Sequence, residues 1–318
     1  MAFVLQDAGR VPADTLPREL AAQPPYGLPE SFAEPADNLA TPERVALGRR
    51  LFFEPRLSLD GSIACATCHR PEHGLAEPEP VSTGVGGRKT ARNAPTLFNR
   101  AFGAAQMWDG KGESLEHQVL MPIENELEMA LALDEALKRL AADPSYVAHF
   151  ERAYGSLSRE HLAKALAAFV RRLTFADSPV DRFRRGEVAG LSEEERAGMW
   201  IFESSGRCWR CHSGPNFSDE GFHNTGIGAR DRAAEPGRAA ITGDRADRGK
   251  FKTPTLRALA LTAPYMHDGS LATLEDVVAF YVRGGNANAE FDERLQPLEL
   301  SAEDQRALVA FLRALSKP

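Results

Sequence analysis

Every cysteine in this chain belongs to a five-residue motif that occurs twice. The segments 65–69 and 208–212 share the pattern Cys-x-x-Cys-His, which is typical of covalent c-type haem attachment. In such sites two thiols form thioethers with the haem, and the adjacent imidazole becomes the proximal iron ligand. Two disulfides or one four-cysteine zinc site would also use four cysteines, but neither needs a histidine after each second cysteine. The sequence predicts two covalent haems, attached at Cys65, Cys68, Cys208 and Cys211 and ligated by His69 and His212.

The length of 318 residues favours about two domains, and one haem motif in each is the natural division. We predict an extended N-terminal arm over 1–40, rich in proline and alanine. An N-terminal domain over 41–185 and a C-terminal domain over 186–318 would follow. The chain is 43% hydrophobic and 26% charged, which is typical of an ordinary globular protein.

The net charge of −7 argues against nucleic acid as a partner and permits docking with a basic protein. No apolar run approaches the ~20 residues of a membrane span. The first residues lack the basic and apolar regions of a signal peptide. Because haem is attached outside the bacterial cytoplasm, we expect a periplasmic protein whose signal peptide has been removed.

Helix start signals recur along the chain, and no strand pattern exceeds four or five residues. Thr41 with Pro42 predicts a helix that ends at Leu51 or Phe53, and helical patterns cover 133–142, 144–154 and 159–173. Segments 71–99 and 213–250 are irregular. The sequence therefore predicts a mostly α fold of two cytochrome c-like haem domains with long irregular loops. Three capping boxes mark further helix starts: Ser192 with Glu195, Thr273 with Asp276, and Ser301 with Asp304.

Several separated segments resemble the bacterial dihaem cytochrome c peroxidase and MauG family over about residues 40–315. They are Trp-Asp-Gly-Lys at 108–111, Leu-Glu-His-Gln at 115–118, Pro122, Glu-Met at 128–129, and Ala-Pro-Tyr-Met-His-Asp-Gly-Ser at 263–270. The resemblance implies that the first haem reacts with hydrogen peroxide and that the second is a high-potential or charge-storing haem.

Three residues carry family roles by this resemblance. Trp108 corresponds to a tryptophan between the haems that relays an oxidising hole, although a core aromatic is the alternative. Gln118 and Glu128 correspond to the amide and the acid of the distal pocket, where a carboxylate can move a proton between the peroxide oxygens. Glu124 and Glu126 compete in the same stretch, and only the register from Trp108 and Gln118 favours Glu128.

Two positions separate the branches of the family. Peroxidases of this group carry a histidine that caps the peroxide haem at rest, and Val85 stands at the matching position here. Valine cannot ligate iron, so we expect an open first haem. His73 is a possible substitute, but it follows His69 by four residues and we expect it on the proximal side.

The second such position is the distal ligand of the second haem. The family has a methionine or, in MauG, a tyrosine there, and counting from Pro264 reaches Tyr281. Leu274, Val277, Val278 and Tyr281 also form one helical stripe. Met266 is the rival ligand, and a core tyrosine is the other alternative. A thioether raises the haem potential, whereas a phenolate favours the ferric and higher states.

The resemblance also implies a calcium ion between the haems, at Asn93, Thr262 and Pro264, where backbone carbonyls and an amide oxygen suit Ca²⁺. The leading function is a MauG-type enzyme that uses hydrogen peroxide to reach a high-valent two-haem state and oxidises aromatic residues of a partner protein. One alternative is a cytochrome c peroxidase that takes electrons from a small cytochrome or cupredoxin. Another is a non-enzymatic electron carrier. Trp209 and Trp200 are candidate exit points for the hole, although the helix context of Trp200 favours a core role for it.

Overall fold

The computed structural model describes residues 24–32, 34–229 and 235–316, and this part of the chain is mostly helix and irregular loop. The prediction of a mostly α fold is confirmed. The described part of the predicted arm, 24–32 and 34–40, contains turns without a helix or strand, and the rest of that arm lies outside the described residues. The helices are α1 (Pro42–Phe52), α2 (Cys65–Cys68), α3 (Leu115–Gln118), α4 (Met121–Glu124), α5 (Leu133–Ala141), α6 (Pro144–Tyr154), α7 (Arg159–Arg171), α8 (Pro179–Arg184), α9 (Glu193–Glu203), α10 (Ala239–Thr242), α11 (Leu274–Val282) and α12 (Ala302–Ala314).

The predicted helix starts are confirmed, because polar side chains satisfy the first free backbone N–H groups. The Thr41 side chain accepts a hydrogen bond from Arg44 N at the start of α1. All three predicted capping boxes form, at α9, α11 and α12. The predicted helices in the middle of the chain correspond to α5, α6 and α7, and α7 ends slightly earlier than predicted, at Arg171.

The buried hydrophobic residues form two clusters, one largely from residues 45–175 and one from residues 180–315. Each cluster is built on a pair of helices that approach closely at a glycine. A Cβ on Gly48 of α1 would lie 1.9 Å from Ala165 O of α7, and a Cβ on Gly198 of α9 would lie 1.9 Å from Ala307 O of α12. Only glycine permits these contacts. In each core, the glycine therefore allows the two helices of the pair to lie close together.

The irregular segment between α9 and α11 contains a short antiparallel pair, β1 (Phe222–His223) and β2 (Phe251–Lys252). Phe222 pairs with Lys252, and His223 pairs with Phe251. The other described residues of this segment form turns, short helices and irregular loop. In the described part of the chain, none of the helices has the length and apolar character that a membrane crossing requires.

A buried ion pair joins the helical region near residue 180 to the loop after β2. Arg257 Nη1 and Nη2 donate to the two carboxylate oxygens of Asp181 at 2.7 and 2.8 Å. Arg257 also donates to Gly27 O and Pro215 O, both in other segments. Burial alone would raise the pKa of Asp181, but the hydrogen bonds and charge of Arg257 outweigh it and keep that pKa below its ordinary value.

We expect Asp181→Asn to cost about 3–5 kcal/mol of unfolding free energy, because it leaves a buried guanidinium without its counter-charge. The fall in the thermal unfolding midpoint measures this cost. Glu275→Gln is the matched control, since Glu275 pairs with Arg313 at 2.7 Å on the surface. That change should cost within about 1 kcal/mol. Equal shifts in the two variants would contradict the importance of the buried pair.

Candidate functional site

A cavity of about 340 Å³ lies beside the first Cys-x-x-Cys-His motif. Its wall includes the motif residues Cys65, Cys68 and His69. The structure therefore brings the first motif together with three residues that the sequence analysis selected from other segments, namely Trp108, Gln118 and Glu128.

The motif histidine on this wall is oriented by a hydrogen bond. α2 ends at Cys68, and His69 follows it with Nδ1 placed 3.2 Å from Leu75 O. Burial lowers the pKa of His69 and favours the neutral ring. With Nδ1 held by a carbonyl, the lone pair is on Nε2, which is the arrangement of a metal-ligating histidine.

Glu128 has the properties of an acid–base group in the same cavity. Burial raises its pKa above the ordinary value, and Asn125 Nδ2 donates to its Oε1 at 2.7 Å. Glu124 is instead exposed and pairs with Arg159 at 2.9 Å, and Glu126 is also exposed. Neither of these two rivals lines the cavity. The geometry therefore supports the register argument that selected Glu128.

The loop that carries Val85 packs directly against Glu128. Val85 N donates to Glu128 O at 2.8 Å. A Cβ on the preceding Gly84 would lie 2.2 Å from Leu127 O, so the two backbone segments are in close contact. His73, considered above as a substitute ligand, lies in a short helical turn and does not line the cavity. Among the cavity-lining residues, His69 is the only histidine.

Trp108 lies where the two parts of the chain meet. Its indole Nε1 donates to Asn93 O at 2.8 Å, and its carbonyl accepts from Lys252 N of β2 at 2.7 Å. The ring of His267, from the C-terminal part, lies edge-on at 6.4 Å between centroids, and it stacks on Phe251 at 3.6 Å. Trp108 thus contacts the first cavity and the C-terminal part at once.

The second motif repeats the local geometry of the first. His212 Nδ1 lies 2.9 Å from Phe217 O, and burial lowers the pKa of His212. A second cavity of about 310 Å³ lies beside it, lined by Trp209, Phe202 and Phe217 among others. Trp209 is exposed, and so is Trp200 on α9. The sequence interpretation of Trp200 as a core residue is therefore wrong, because α9 turns that face to solvent.

Tyr281 lies on α11 near the second pair of cysteines, although it does not line the second cavity. Burial raises the pKa of its hydroxyl, and the charges of Cys211 and Cys208 raise it further. The rival Met266 packs at the edge of the C-terminal core, in the loop before α11, with a left-handed backbone at φ 75°. The predicted stripe is buried at Leu274 and Val278.

The predicted calcium ligands lie in two segments that contact each other. Asn93 N donates to His267 O, while its side-chain amide donates to Glu77 O and Glu79 O. Thr262 and Pro264 precede His267 in that second segment, and the Ala263–Pro264 peptide is cis. A calcium ion at Asn93, Thr262 and Pro264 stays a prediction.

None of the four cysteines, which all lie within the described residues, is bonded to another cysteine, so the disulfide alternative is wrong. Within the described ranges, the one group of three or more close metal-ligating side chains is Cys211, Asp219 and His223. A four-cysteine zinc site is excluded, because that group contains one cysteine only. At both motifs, two cysteines that are not bonded to each other are followed by a histidine whose ring is oriented by a hydrogen bond. This arrangement fits covalent haem attachment.

Three polar residues of the first cavity were not predicted from the sequence. Arg100 and Lys252 both line the first cavity and are almost fully buried, and Asn125 holds Glu128. Asn125 was accessible from sequence, because it lies three positions before the acid. Lys252 comes from the distant strand β2, and no local pattern marks it.

Comparison with known proteins agrees with these observations. A family model described as di-haem cytochrome c peroxidase matches residues 42–189. The chain is 39% identical to the methylamine utilization protein MauG of Methylorubrum extorquens over 312 residues, covering 97% of this chain and 88% of that protein. It is 34% identical to the cytochrome c551 peroxidase of Pseudomonas aeruginosa over 298 residues, covering 91% and 83% respectively.

A solved structure has the same fold. The crystal structure of a MauG-like protein associated with microbial copper homeostasis aligns with a TM-score of 0.86 and 33% identity, covering 93% of this chain and 95% of that one. The predicted resemblance is therefore confirmed along nearly the whole chain. The chain belongs to the dihaem cytochrome c peroxidase and MauG family of oxidoreductases, which act on peroxide and carry two c-type haems.

Proposed function

We propose that this protein is a MauG-type enzyme, which takes two oxidising equivalents from hydrogen peroxide and passes them to aromatic residues of a partner protein. The haems, bound at Cys65, Cys68 and His69 and at Cys208, Cys211 and His212, supply the redox chemistry. The observation that carries the proposal is Tyr281 of α11, a partly buried phenol close to Cys208 and Cys211. A phenolate ligand disfavours reduction and thus suits an enzyme that needs no electron donor before it meets peroxide.

The first cavity supplies acid–base chemistry beside its haem. Burial raises the pKa of Glu128 above its ordinary value, which makes the carboxyl better able to accept and return a proton. Asn125 fixes the carboxylate orientation, and Gln118 lines the same wall. Each peroxide takes up two electrons and two protons and becomes two waters. The two electrons come from the partner's tryptophan or tyrosine side chains.

Trp108 provides the path between the two parts of the chain. It lines the first cavity, and it contacts β2 and His267 of the C-terminal part. An indole is the most readily oxidised aromatic side chain in this region. Trp209, exposed beside His212, is then the exit point toward the partner. A calcium ion held by Asn93, Thr262 and Pro264 would stabilise the segments on both sides of Trp108.

The second candidate function is a cytochrome c peroxidase, which takes electrons from a small redox protein. It is favoured by Met266, which lies beside the C-terminal core and could replace Tyr281 as ligand. The two candidates differ in what they need before peroxide reacts. A MauG-type enzyme reacts fully oxidised, whereas a peroxidase with a methionine-ligated haem must first receive an electron.

The test is the addition of hydrogen peroxide to the fully ferric protein without reductant. We expect an absorption change in the haem bands that lasts for minutes and is reversed when a tryptophan- or tyrosine-bearing protein is oxidised. A response only after half-reduction would favour the peroxidase. Progressive bleaching alone would reject both enzymatic functions.

Tyr281→Phe tests the identity of the distal ligand. The ferric wild-type protein should give one high-spin and one low-spin signal in electron paramagnetic resonance, because Val85 leaves the first haem open. Tyr281→Phe removes the phenolate ligand, so it should change the low-spin signal of the second haem and abolish the long-lived response to peroxide. Met266→Leu is the control and should leave the spectrum unchanged. If the two variants exchange these results, Met266 is the ligand.

Glu128→Gln keeps the side-chain volume but removes the group that moves a proton. The reaction with peroxide should slow by about 10²–10⁴-fold in stopped-flow measurements. In the wild type this rate should rise with pH as Glu128 ionises, and the rise should lie above the pH expected for an exposed glutamate. Glu126→Gln, at an exposed position, should react at the wild-type rate. Similar rates in all three proteins would exclude Glu128 as the acid–base group.

Trp108→Phe keeps an aromatic ring in place but makes hole transfer far harder. Peroxide should still react at the first haem, while the spectrum of the second haem and the partner protein stay unchanged. Separate observation of the two haem bands after mixing measures this. If both haems respond at the original rate, Trp108 is a packing residue.

A further inference from the structure

Two buried cations share a single carboxylate at the wall of the first cavity. Arg100 donates to both carboxylate oxygens of Glu220, at 3.1 and 3.2 Å. Lys252 Nζ lies 3.6 Å from Glu220 Oε2, beyond hydrogen-bond distance. Arg100, Lys252 and Gln106 all line the cavity. This group therefore has one more positive charge than its acid neutralises.

Lys252 is the cation that lacks adequate partners. Arg100 also donates from Nε to Gln106 and from Nη2 to Ala105 O, at 2.9 and 2.8 Å. Lys252 Nζ, among the described residues, makes one hydrogen bond, to Thr253 O at 3.2 Å. An ammonium has three donors, so two of its N–H groups are available on a side chain that is only 6% exposed.

A buried ammonium with one hydrogen bond from the protein is costly, because burial removes its hydration. Burial and the neighbouring Arg100 lower the pKa of Lys252 to about 7, in spite of the attraction of Glu220. An anion in the cavity would restore the charged form. Carboxylates are the chemical class that pairs with such a lysine and an arginine.

We propose that Lys252, supported by Arg100, binds a propionate carboxylate of the haem attached at Cys65 and Cys68. The proposal rests on the assignment of the first haem to this cavity, whose wall contains both the motif and Lys252. Because Lys252 belongs to β2, the C-terminal part of the chain would contribute directly to the site of the N-terminal haem. Lys252 is thus a cofactor-binding residue that also joins the two haem regions.

The charge of Lys252 would affect the reduction potential of the first haem. A cation beside a propionate stabilises the reduced iron, which carries one positive charge fewer, relative to the ferric iron. Lys252→Met removes this charge at nearly constant side-chain length. Glu220 keeps its two hydrogen bonds from Arg100, so the change leaves no buried carboxylate without a partner.

The experiment is a spectroelectrochemical titration of the holoprotein with both haems attached. At a fixed electrode potential, the ferrous-to-ferric ratio of the first haem should fall by about tenfold in Lys252→Met, and it should stay near the wild-type ratio in Lys252→Arg. Lys250→Met is the matched control. Lys250 lies two residues earlier, pairs with Asp247 at 3.1 Å and does not line the cavity, so its removal should leave the ratio unchanged.

An unchanged ratio in Lys252→Met, or equal falls in Lys252→Met and Lys250→Met, would overturn the proposal. A measurement on the wild type covers the case in which Lys252→Met does not fold. The propionate bending band of the first haem in resonance Raman spectra should shift in heavy water, since its partner is an exchangeable N–H, and an unshifted band would also overturn the proposal. If mass spectrometry finds fewer than two haems attached to the wild-type protein, it would instead contradict the assignment of the first haem to this cavity, on which the proposal rests.

Discussion

The geometry of both haem sites depends on one hydrogen bond from each motif histidine. His69 Nδ1 is held by Leu75 O and His212 Nδ1 by Phe217 O, and in each case the accepting carbonyl lies a few residues beyond the motif. This contact fixes the ring and leaves Nε2 available to ligate iron. The two cysteines of each motif would hold the haem by its edge, beside that imidazole.

Hydrogen bonds around Trp108 are among the contacts that join the two parts of the chain. Its indole and its carbonyl are both hydrogen-bonded, to Asn93 O and to Lys252 N, and Asn93 N is bonded in turn to His267 O. A tryptophan held at its indole N–H and at its backbone changes position little. If Trp108 is the relay that we propose, the contacts that join the two cores also keep it in place.

Local signals in the sequence were sufficient for the helices and for the haem motifs. The helix caps involve residues only three positions apart, so they can be recognised directly in the sequence. They lie at Thr41, Ser192, Thr273 and Ser301. Spacing relative to Trp108 and Gln118 favoured Glu128, and Glu128 lines the cavity whereas Glu124 and Glu126 do not. Its role as the acid–base group stays a prediction. The position of Lys252 was not accessible in this way, because it depends on the distant pairing of β2 with Trp108. The exposure of Trp200 was also not predicted. A helical pattern shows that residues share a face, but it does not show whether a face at the edge of a core points to the core or to solvent.

The resting state of the proposed enzyme follows from the contact between the Val85 loop and the distal acid. Val85 N donates to Glu128 O, and Gly84 approaches Leu127 O so closely that a side chain has no room. Moving this loop away would leave a buried backbone donor and acceptor unpaired, at a cost of about 1–3 kcal/mol each. In the proposed enzyme the loop lies against Glu128 and offers no iron ligand, because valine cannot ligate iron. The first site would then accept peroxide in the oxidised protein, which is also what the proposed phenol ligand at the second site requires.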